Sequence, residues 1–225
     1  MRYRTTQFGL LTLLCVLSLT AAAQLENVKI TTTKITDSIY MLQGRGGNIG
    51  VSIGADGVFL VDDQFAPLTQ KISAAVAALS DKPIKFVVNT HWHGDHTGGN
   101  ENLGKQGVTI VAHDNVRKRM STDQVLKAFN RPVPASPDGA LPVITFNRAM
   151  TFYFNEEEIK VEHYPYSHTD GDSILFFKNL GKIVMGHFST EQVARYHTGY
   201  FASSRQHGIG ERSHKANSGA TINEP

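Results

Sequence analysis

The most informative segment of the chain is HWHGDH at residues 91–96, which places three histidines and one aspartate within six positions. In an extended segment, residues i and i+2 point to the same side, so His91 and His93 can share one metal ion. Asp95 and His96 follow, and the neighbouring glycines allow a tight turn that directs them at a second ion. Imidazole nitrogen and carboxylate oxygen are ligands that zinc accepts. The spacing therefore predicts a metal site, with a histidine-rich surface loop as the alternative.

The remaining composition limits which ligands can complete such a site. The 225-residue chain is long enough for one domain with a substantial core. Its single cysteine, Cys15, lies in an apolar run near the start of the chain. A metal site in the rest of the chain must therefore be built from His, Asp and Glu.

The first 23 residues have the pattern of a secretory signal peptide. Arg2 and Arg4 precede an apolar run over residues 8–19, and three alanines end the segment at Ala23. Cleavage there would remove two arginines and no acidic residue, which lowers the formal charge from +2 to zero. We therefore expect a periplasmic or secreted protein without a membrane span in its mature form. A near-neutral mature chain also gives no indication of a nucleic-acid partner.

The elements around the histidine segment alternate between strand and helix patterns. Residues 28–63 are rich in β-branched residues and are broken by glycine turns, which predicts antiparallel strands. Apolar residues then recur at helical spacing over 68–79, which predicts a helix of about four turns. Short apolar strand patterns at 84–90 and 108–114 flank the histidine segment. The order strand, helix, strand, loop, helix, strand predicts an α/β fold.

The second half of the chain is predicted to contain one more helix and four strands. Residues 115–130 match an amphipathic helix with Val116, Met120, Val125, Leu126 and Phe129 facing inward, and the proline-rich residues 131–142 are predicted to be a loop. Two strand pairs follow, one around a turn at Asn155 and the other around residues 178–182.

HWHGDH resembles the His-x-His-x-Asp-His motif of the metallo-β-lactamase superfamily, and the resemblance extends from about Ile39 to Gly186. The resemblance implies a four-layer αββα sandwich that binds one or two zinc ions. The segment YSHTDGDS, residues 166–173, resembles the second motif of the family, which makes His168 the third ligand beside His91 and His93. Three imidazoles with an open fourth position form a site that activates water.

The resemblance also suggests supporting residues around the metals. Asp62 and Asp172 match acidic positions of the family and are expected to hold the imidazoles in place. Asp62 has an equally good alternative interpretation as the residue that leads into the following helix. His113 is expected to pack or to cap beside Asp114, and His163 is expected to be structural.

The resemblance fails after KIVMG, residues 182–186, where the family places an Asp or Cys that binds the second metal. This chain has His187 there, which is a possible replacement ligand. The remaining residues, 188–225, are rich in Ser, Gly, His and Arg and show no strand or helix period. We hypothesise that a frameshift or equivalent gene event replaced the native C-terminal part, which would leave 24–187 as an incomplete domain and 188–225 as a largely disordered tail. The alternative is a divergent but genuine terminus that folds over the core.

These patterns together predict a zinc-dependent hydrolase that acts on a small-molecule substrate. The resemblance implies an ester, thioester, lactone or β-lactam as the substrate that metal-activated water would attack, with Asp95 orienting the nucleophile. The alternative is a metal-binding remnant of such an enzyme with impaired catalysis.

Overall fold

The computed structural model describes residues 25, 27–126, 130–165, 167–179, 183–186 and 201–203. Most of them belong to two β-sheets. The first sheet has seven strands in the order β1-β2-β3-β4-β5-β6-β9. These strands are β1 (Thr31–Lys34), β2 (Ile39–Gln43), β3 (Ile49–Gly54), β4 (Gly57–Val61), β5 (Ile84–Asn89), β6 (Thr109–His113) and β9 (Ile144–Phe146).

The direction of the strands in the first sheet changes at β4. Strands β1 to β4 are antiparallel neighbours, as the short connections between them require. Strands β4, β5, β6 and β9 are parallel neighbours, because helical or long connections separate them along the chain. The histidine segment lies directly after parallel strand β5, at the carboxyl end where α/β sheets commonly bind ligands.

The second sheet has five strands in the order β10-β11-β12-β13-β14. These are β10 (Ala149–Phe154), β11 (Glu157–His163), β12 (Ser173–Phe177), β13 (Ile183–Gly186) and β14 (Phe201–Ser203). The turn at Asn155 is as predicted, and Asn155 and Glu156 adopt positive φ angles of 55° and 61° there. Both predicted strand pairs are therefore present.

Four helices accompany the sheets in the described part of the chain. They are α1 (Thr69–Ala77), α2 (Gly94–Thr97), α3 (Asn100–Lys105) and α4 (Asp114–Met120). One 3-10 turn precedes α1 at Ala66–Leu68, and another lies within the proline-rich loop at Asp138–Ala140. The helix predicted over 68–79 is present but shorter, since Leu68 belongs to the preceding 3-10 turn and the α-helix ends at Ala77.

Two apolar clusters separate the layers. One lies between the sheets and is centred on Phe59, which is fully buried and makes a T-shaped contact with Phe152 at 5.0 Å between ring centroids. The other lies between the first sheet and α1, with Ile72 and Val76 of that helix buried in it. The layered α/β arrangement agrees with the predicted fold class.

The helix predicted over residues 115–130 is wrong beyond Met120. The hydroxyls of Ser121 and Thr122 donate to the carbonyl of Lys118 at 3.1 and 3.0 Å, which competes with continuation of the helix. The chain then forms the two-stranded antiparallel hairpin of β7 (Gln124–Leu126) and β8 (Arg131–Val133).

Three inward-facing positions of that predicted helix are affected, and Leu126 is one of them, since it lies on strand β7. Val125 lies on the hairpin and is 55% exposed, so it does not face the core. Phe129 lies outside the described residues. The hairpin also means that the proline-rich loop begins after Val133, instead of at residue 131 as predicted.

Most of the predicted tail, 188–225, lies outside the described residues, as does His187. Within the tail, residues 201–203 form β14, which pairs in parallel with β13. The domain boundary at residue 187 and the disorder of the tail stay predictions.

Candidate metal centre

The first group of potential ligands consists of His91, His93 and His168. One ring nitrogen of each lies within 4.8 Å of a ring nitrogen of the other two. The ring centroids are 5.0 Å apart for His91 and His93, 4.9 Å for His91 and His168, and 4.7 Å for His93 and His168. Three imidazoles on one tetrahedral ion, with N–metal distances of about 2.0–2.1 Å, require ring separations of about 5 Å. The near-equilateral triangle therefore fits a single ion.

The three rings come from two places in the fold. His91 and His93 lie on the extended segment that follows β5, and their alternate spacing places both rings on one side, as predicted. His168 lies in the loop that connects β11 and β12 of the second sheet. His91 is buried, His93 is half-buried and His168 is exposed, so the triangle opens to solvent on the His168 side. A substrate could approach from this side.

The tautomer of His91 is constrained by its neighbour. The hydroxyl of Thr90 lies 3.2 Å from Nδ1 of His91. This hydrogen bond fixes the orientation of the ring, as is common for imidazoles that bind a metal through their other nitrogen. Thr90 was not identified from the sequence, although it directly precedes the motif.

The second group of potential ligands consists of His91, Asp95 and His96, all of which are buried. Asp95 and His96 lie on the single turn of α2, which turns the chain back after His93. Nε2 of His96 lies 3.6 Å from Oδ2 of Asp95. His91 occurs in both groups, and one imidazole nitrogen serves one ion. Within the described residues, the second group thus has two ligands of its own.

The carboxylate of Asp62 supports the second group through hydrogen bonds to His96 and to Thr90. Its Oδ2 lies 2.7 Å from Nδ1 of His96, and its Oδ1 accepts from the backbone N–H of Thr90 at 2.7 Å. The hydroxyl of Thr90 also donates to Oδ2 at 2.8 Å. One carboxylate therefore fixes the residue before His91 and holds Nδ1 of His96, so that Nε2 is the ring nitrogen on the side of Asp95. These contacts favour the supporting interpretation of Asp62, since the 3-10 turn before α1 begins only at Ala66.

The electrostatics of this buried cluster favour a cation. Burial lowers the pKa of His96, but the charges and hydrogen bonds of Asp62 and Asp95 outweigh it and raise the pKa to about 10. Asp63, which follows Asp62 in the chain, accepts a hydrogen bond from the N–H of Gly99 through Oδ1 at 2.9 Å, while its Oδ2 is buried without a partner. Burial raises the pKa of Asp63 well above its usual range. Asp62 and Asp95 are the carboxylates that stabilise positive charge on His96.

Asp172 supports His168 differently from the prediction. We expected it to hold an imidazole, but its Oδ2 accepts from the backbone N–H of His168 at 2.7 Å. Its Oδ1 accepts from the N–H of Thr169 at 3.0 Å, and the hydroxyl of Thr169 also donates to it. The carboxylate organises the main chain of the loop, because a tight turn brings two consecutive N–H groups to it.

A glycine-rich loop, residues 44–47, lies against the second group. A Cβ on Gly47 would lie 2.8 Å from Nε2 of His96, and one on Gly46 would lie 2.7 Å from Cβ of Asp95. The side-chain amide of Gln64 fastens this loop: it donates to the carbonyl of Gly47 and accepts from the N–H of Arg45 at 3.2 Å. Gln64 is fully buried and escaped sequence analysis, because a lone glutamine carries no spacing signal.

The remaining histidines of the described chain lie outside both groups. His113 accepts from the N–H of Asn115 and so caps α4, in agreement with the capping interpretation. His163 stacks on His113 at 3.6 Å between ring centroids and 15° between planes, and its Nδ1 lies 2.9 Å from the carbonyl of Asp172. Burial, partly opposed by a hydrogen bond to Asn147, lowers the pKa of His113.

Trp92 alternates with the two histidines and packs on the opposite side of the segment, against the cluster of Ala112, Val116 and Met120. This packing anchors the segment from behind. Among the described residues, no helix has the length and apolar character needed to cross a membrane.

Comparison with solved structures identifies the fold. A subclass B3 metallo-β-lactamase of Bradyrhizobium japonicum superimposes with a TM-score of 0.59 at 20% identity, over 77% of this chain and 67% of that one. A metallo-β-lactamase of Cronobacter sakazakii superimposes with a TM-score of 0.61 at 15% identity, over 71% and 62% of the two chains. At such identities the likeness concerns the fold alone.

The sequence comparisons agree with the structural ones. A protein of Caenorhabditis elegans described as a β-lactamase-like protein 2 homolog is 35% identical over 91 residues, which is 38% of this chain and 30% of that protein. The chain thus matches about a third of the length of this relative. The family model of the metallo-β-lactamase superfamily matches residues 43–199, and so continues past Gly186, where we expected the resemblance to end. Because this match spans more than half of the sequence, the chain belongs to the metallo-β-lactamase superfamily.

Proposed function

We propose that this chain is a zinc-dependent hydrolase that acts on a small-molecule substrate of the ester, thioester, lactone or β-lactam type. The observation that carries the proposal is the triangle of His91, His93 and His168, whose rings are 4.7–5.0 Å apart and which opens to solvent at His168. Such a site combines three neutral ligands with a free fourth position, which is the arrangement of catalytic zinc sites.

The donor set fits zinc. The first group offers three imidazole nitrogens, and the second group adds a carboxylate and a further imidazole. The described residues contain no thiolate, so ligands typical of closed structural zinc sites are absent from them. Zinc bound there would lower the pKa of water to about 7 and polarise the bond that is attacked.

The residues of the chain then have separate tasks. Thr90 and Asp62 fix the start of the HWHGDH segment and the orientation of His96. Asp95 is buried beside the triangle, where its carboxylate would accept a hydrogen bond from the attacking water and orient it. The loop of Gly46 and Gly47 would exclude solvent from the other side of Asp95 and His96.

The test combines metal analysis with activity on one preparation. We expect the parent protein to contain zinc, and the double variant His91→Ala/His93→Ala to contain almost none. The control variant His113→Asn removes an imidazole outside both groups and keeps an oxygen that can cap α4. Hydrolysis is measured with a panel of esters, thioesters, lactones and a chromogenic cephalosporin. Equal zinc in the double variant and the parent would contradict the metal assignment.

A metal-binding remnant with impaired catalysis is the second candidate. It is favoured by the shared use of His91, which leaves the second group with only Asp95 and His96 of its own in the described chain. This candidate predicts that the parent binds one zinc ion with high affinity and hydrolyses none of the panel. This candidate would be excluded if the parent hydrolyses any substrate of the panel and the activity disappears when zinc is removed.

We also propose that the protein is exported to the periplasm or secreted. The support comes from Arg2 and Arg4, the apolar run that follows them and the alanines before residue 24.

A further inference from the structure

The loop that carries His168 is fastened at a point that the family motif does not explain. Asp170, two residues after His168, turns its carboxylate towards α4. Nε of Arg119 lies 3.2 Å from both carboxylate oxygens of Asp170, and Nη2 lies 2.8 Å from Oδ2. Nη1 of the same guanidinium donates to Oε1 of Gln124 at 3.0 Å. The planar guanidinium therefore binds the carboxylate of Asp170 through Nε and Nη2, while its third nitrogen, Nη1, binds Gln124.

A second contact joins the same loop to the first turn of α4. Nδ2 of Asn115 donates to the backbone carbonyl of Asp170 at 2.7 Å. Asn115 and Arg119 are four residues apart and so share one face of the helix. A Cβ on Gly171 would lie 2.9 Å from Cγ2 of Val116, which shows that the loop lies directly on this face.

We propose that Arg119, together with Asn115, is a positioning residue that holds His168 at the first metal group. This inference rests on the proposed binding of zinc by His91, His93 and His168. His91 and His93 follow directly from strand β5, whereas His168 is exposed on a loop of the other sheet. The position of His168 therefore depends on what holds its loop. Asp172 shapes the loop from within, and α4 fixes it to the layer that also packs on Trp92.

The size of the effect follows from the exposure of the ion pair. Removing a group that directly holds a metal ligand lowers metal affinity by roughly 10–100-fold. Arg119 acts through Asp170, and both side chains are 44% exposed, which weakens an ion pair. We therefore expect a loss of about 3–10-fold in affinity at the first group. Salt screens exposed charges, and only the parent has the ion pair of Arg119 and Asp170. The metal affinity of the parent should therefore fall more steeply with ionic strength than the metal affinity of the variants.

The experiment titrates cobalt(II) into the metal-free full chain and follows the absorption of the bound ion. The variants are Arg119→Gln, Asp170→Asn and the double variant R119Q/D170N. The control is Lys178→Gln, which breaks the ion pair of Lys178 and Glu158 on the second sheet at a similar exposure of 48% and 31%. We expect each single variant to lose about 3–10-fold in cobalt affinity, the double variant to lose no more than either, and the control to equal the parent.

A purely structural role would give a different result. In that case the urea midpoint of the metal-free protein would fall in the Arg119 variants, while cobalt affinity and its salt dependence would match the parent. This outcome, or additive losses in the double variant, would overturn the inference. If Arg119→Gln fails to fold, the charge-swapped variant R119D/D170R rebuilds the pair, and cobalt affinity still more than tenfold below the parent would count against the inference. A parent that binds no cobalt would instead refute the proposed function, and the inference with it.

Discussion

Replacement of Gly47 by alanine should disrupt the second group of ligands, although none of the ligands is itself replaced. A Cβ at this position would lie 2.8 Å from Nε2 of His96, and closer still to Cε1. Nonpolar contacts have their optimum at about 3.5–4.0 Å, so the loop or the ring must move by roughly 1 Å. The ring cannot retreat easily, because Nδ1 is held by Asp62 at 2.7 Å and the side chain is buried.

The magnitude follows from the cost of overpacking. Extra methyl groups in a well-packed site cost about 1–3 kcal/mol. Since about 1.4 kcal/mol corresponds to a factor of ten, affinity for a metal bound through His96 should fall roughly 5–100-fold. The first group should keep its affinity within about threefold, because the three atoms nearest to the added Cβ all belong to His96, which is not one of its ligands.

The assay is a zinc titration against a chromophoric chelator, which resolves strong and weak binding steps. Gly94→Ala is the matched control: it adds the same methyl group between two ligands, but apart from the adjacent residues and the backbone of its own helix no atom lies within 4 Å of the new Cβ. We expect Gly94→Ala to bind like the parent. Unchanged weak-step affinity in Gly47→Ala, or equal losses in both variants, would refute the packing argument.

Three further predictions concern other parts of the molecule. Asp62→Asn should lower affinity at the second group by roughly 10–100-fold, because it removes the charge that orients His96; the same titration measures it. Burial lowers the pKa of His113 from 6.5, so the unfolded chain binds the proton more tightly. The free energy of unfolding should therefore fall as pH drops below 6.5, and urea titrations should show a flatter profile for His113→Asn. Mass spectrometry of exported protein should find cleavage after Ala23; an intact Met1 on protein retained in the cytoplasm would contradict it.

Local spacing was sufficient to predict the HWHGDH segment, because its geometry depends on a few consecutive residues. Alternation places His91 and His93 on one side, and the glycines permit the turn that carries Asp95 and His96. Spacing alone could not show that His91 lies close enough to both groups to serve either. That proximity depends on the fold of the turn, and on the 3.9 Å between the ring centroids of His91 and His96.

The wrong helix after Met120 shows where local pattern fails. Val116 with Met120 and Val125 with Phe129 each have helical spacing, which favours a helix locally, although the nine residues from Val116 to Val125 would place the two pairs on opposite sides of a continuous helix. Hydrogen bonds of Ser121 and Thr122 to the last turn, and pairing with β8, decide the outcome instead. The same applies to Gln64 and Arg119, whose roles depend on partners far away along the chain. Side chains that support a site through tertiary contacts leave no period in the sequence.

The arrangement of the first group also explains how metal binding would act on the fold. His91 and His93 belong to the end of the first sheet, and His168 belongs to a loop of the second sheet. An ion bound by all three therefore links the two sheets at the edge of their shared apolar core. Asp172 connects to the same edge from the second sheet, because its carbonyl accepts from the N–H of Tyr164 at 2.8 Å. The backbone bond from Ser173 to the carbonyl of Thr90, at 2.9 Å, joins the two sheets directly beside His91. These backbone hydrogen bonds thus connect the two sheets beside His91 without a metal. The site is therefore largely formed before an ion binds, and little of the binding free energy is needed to order the chain.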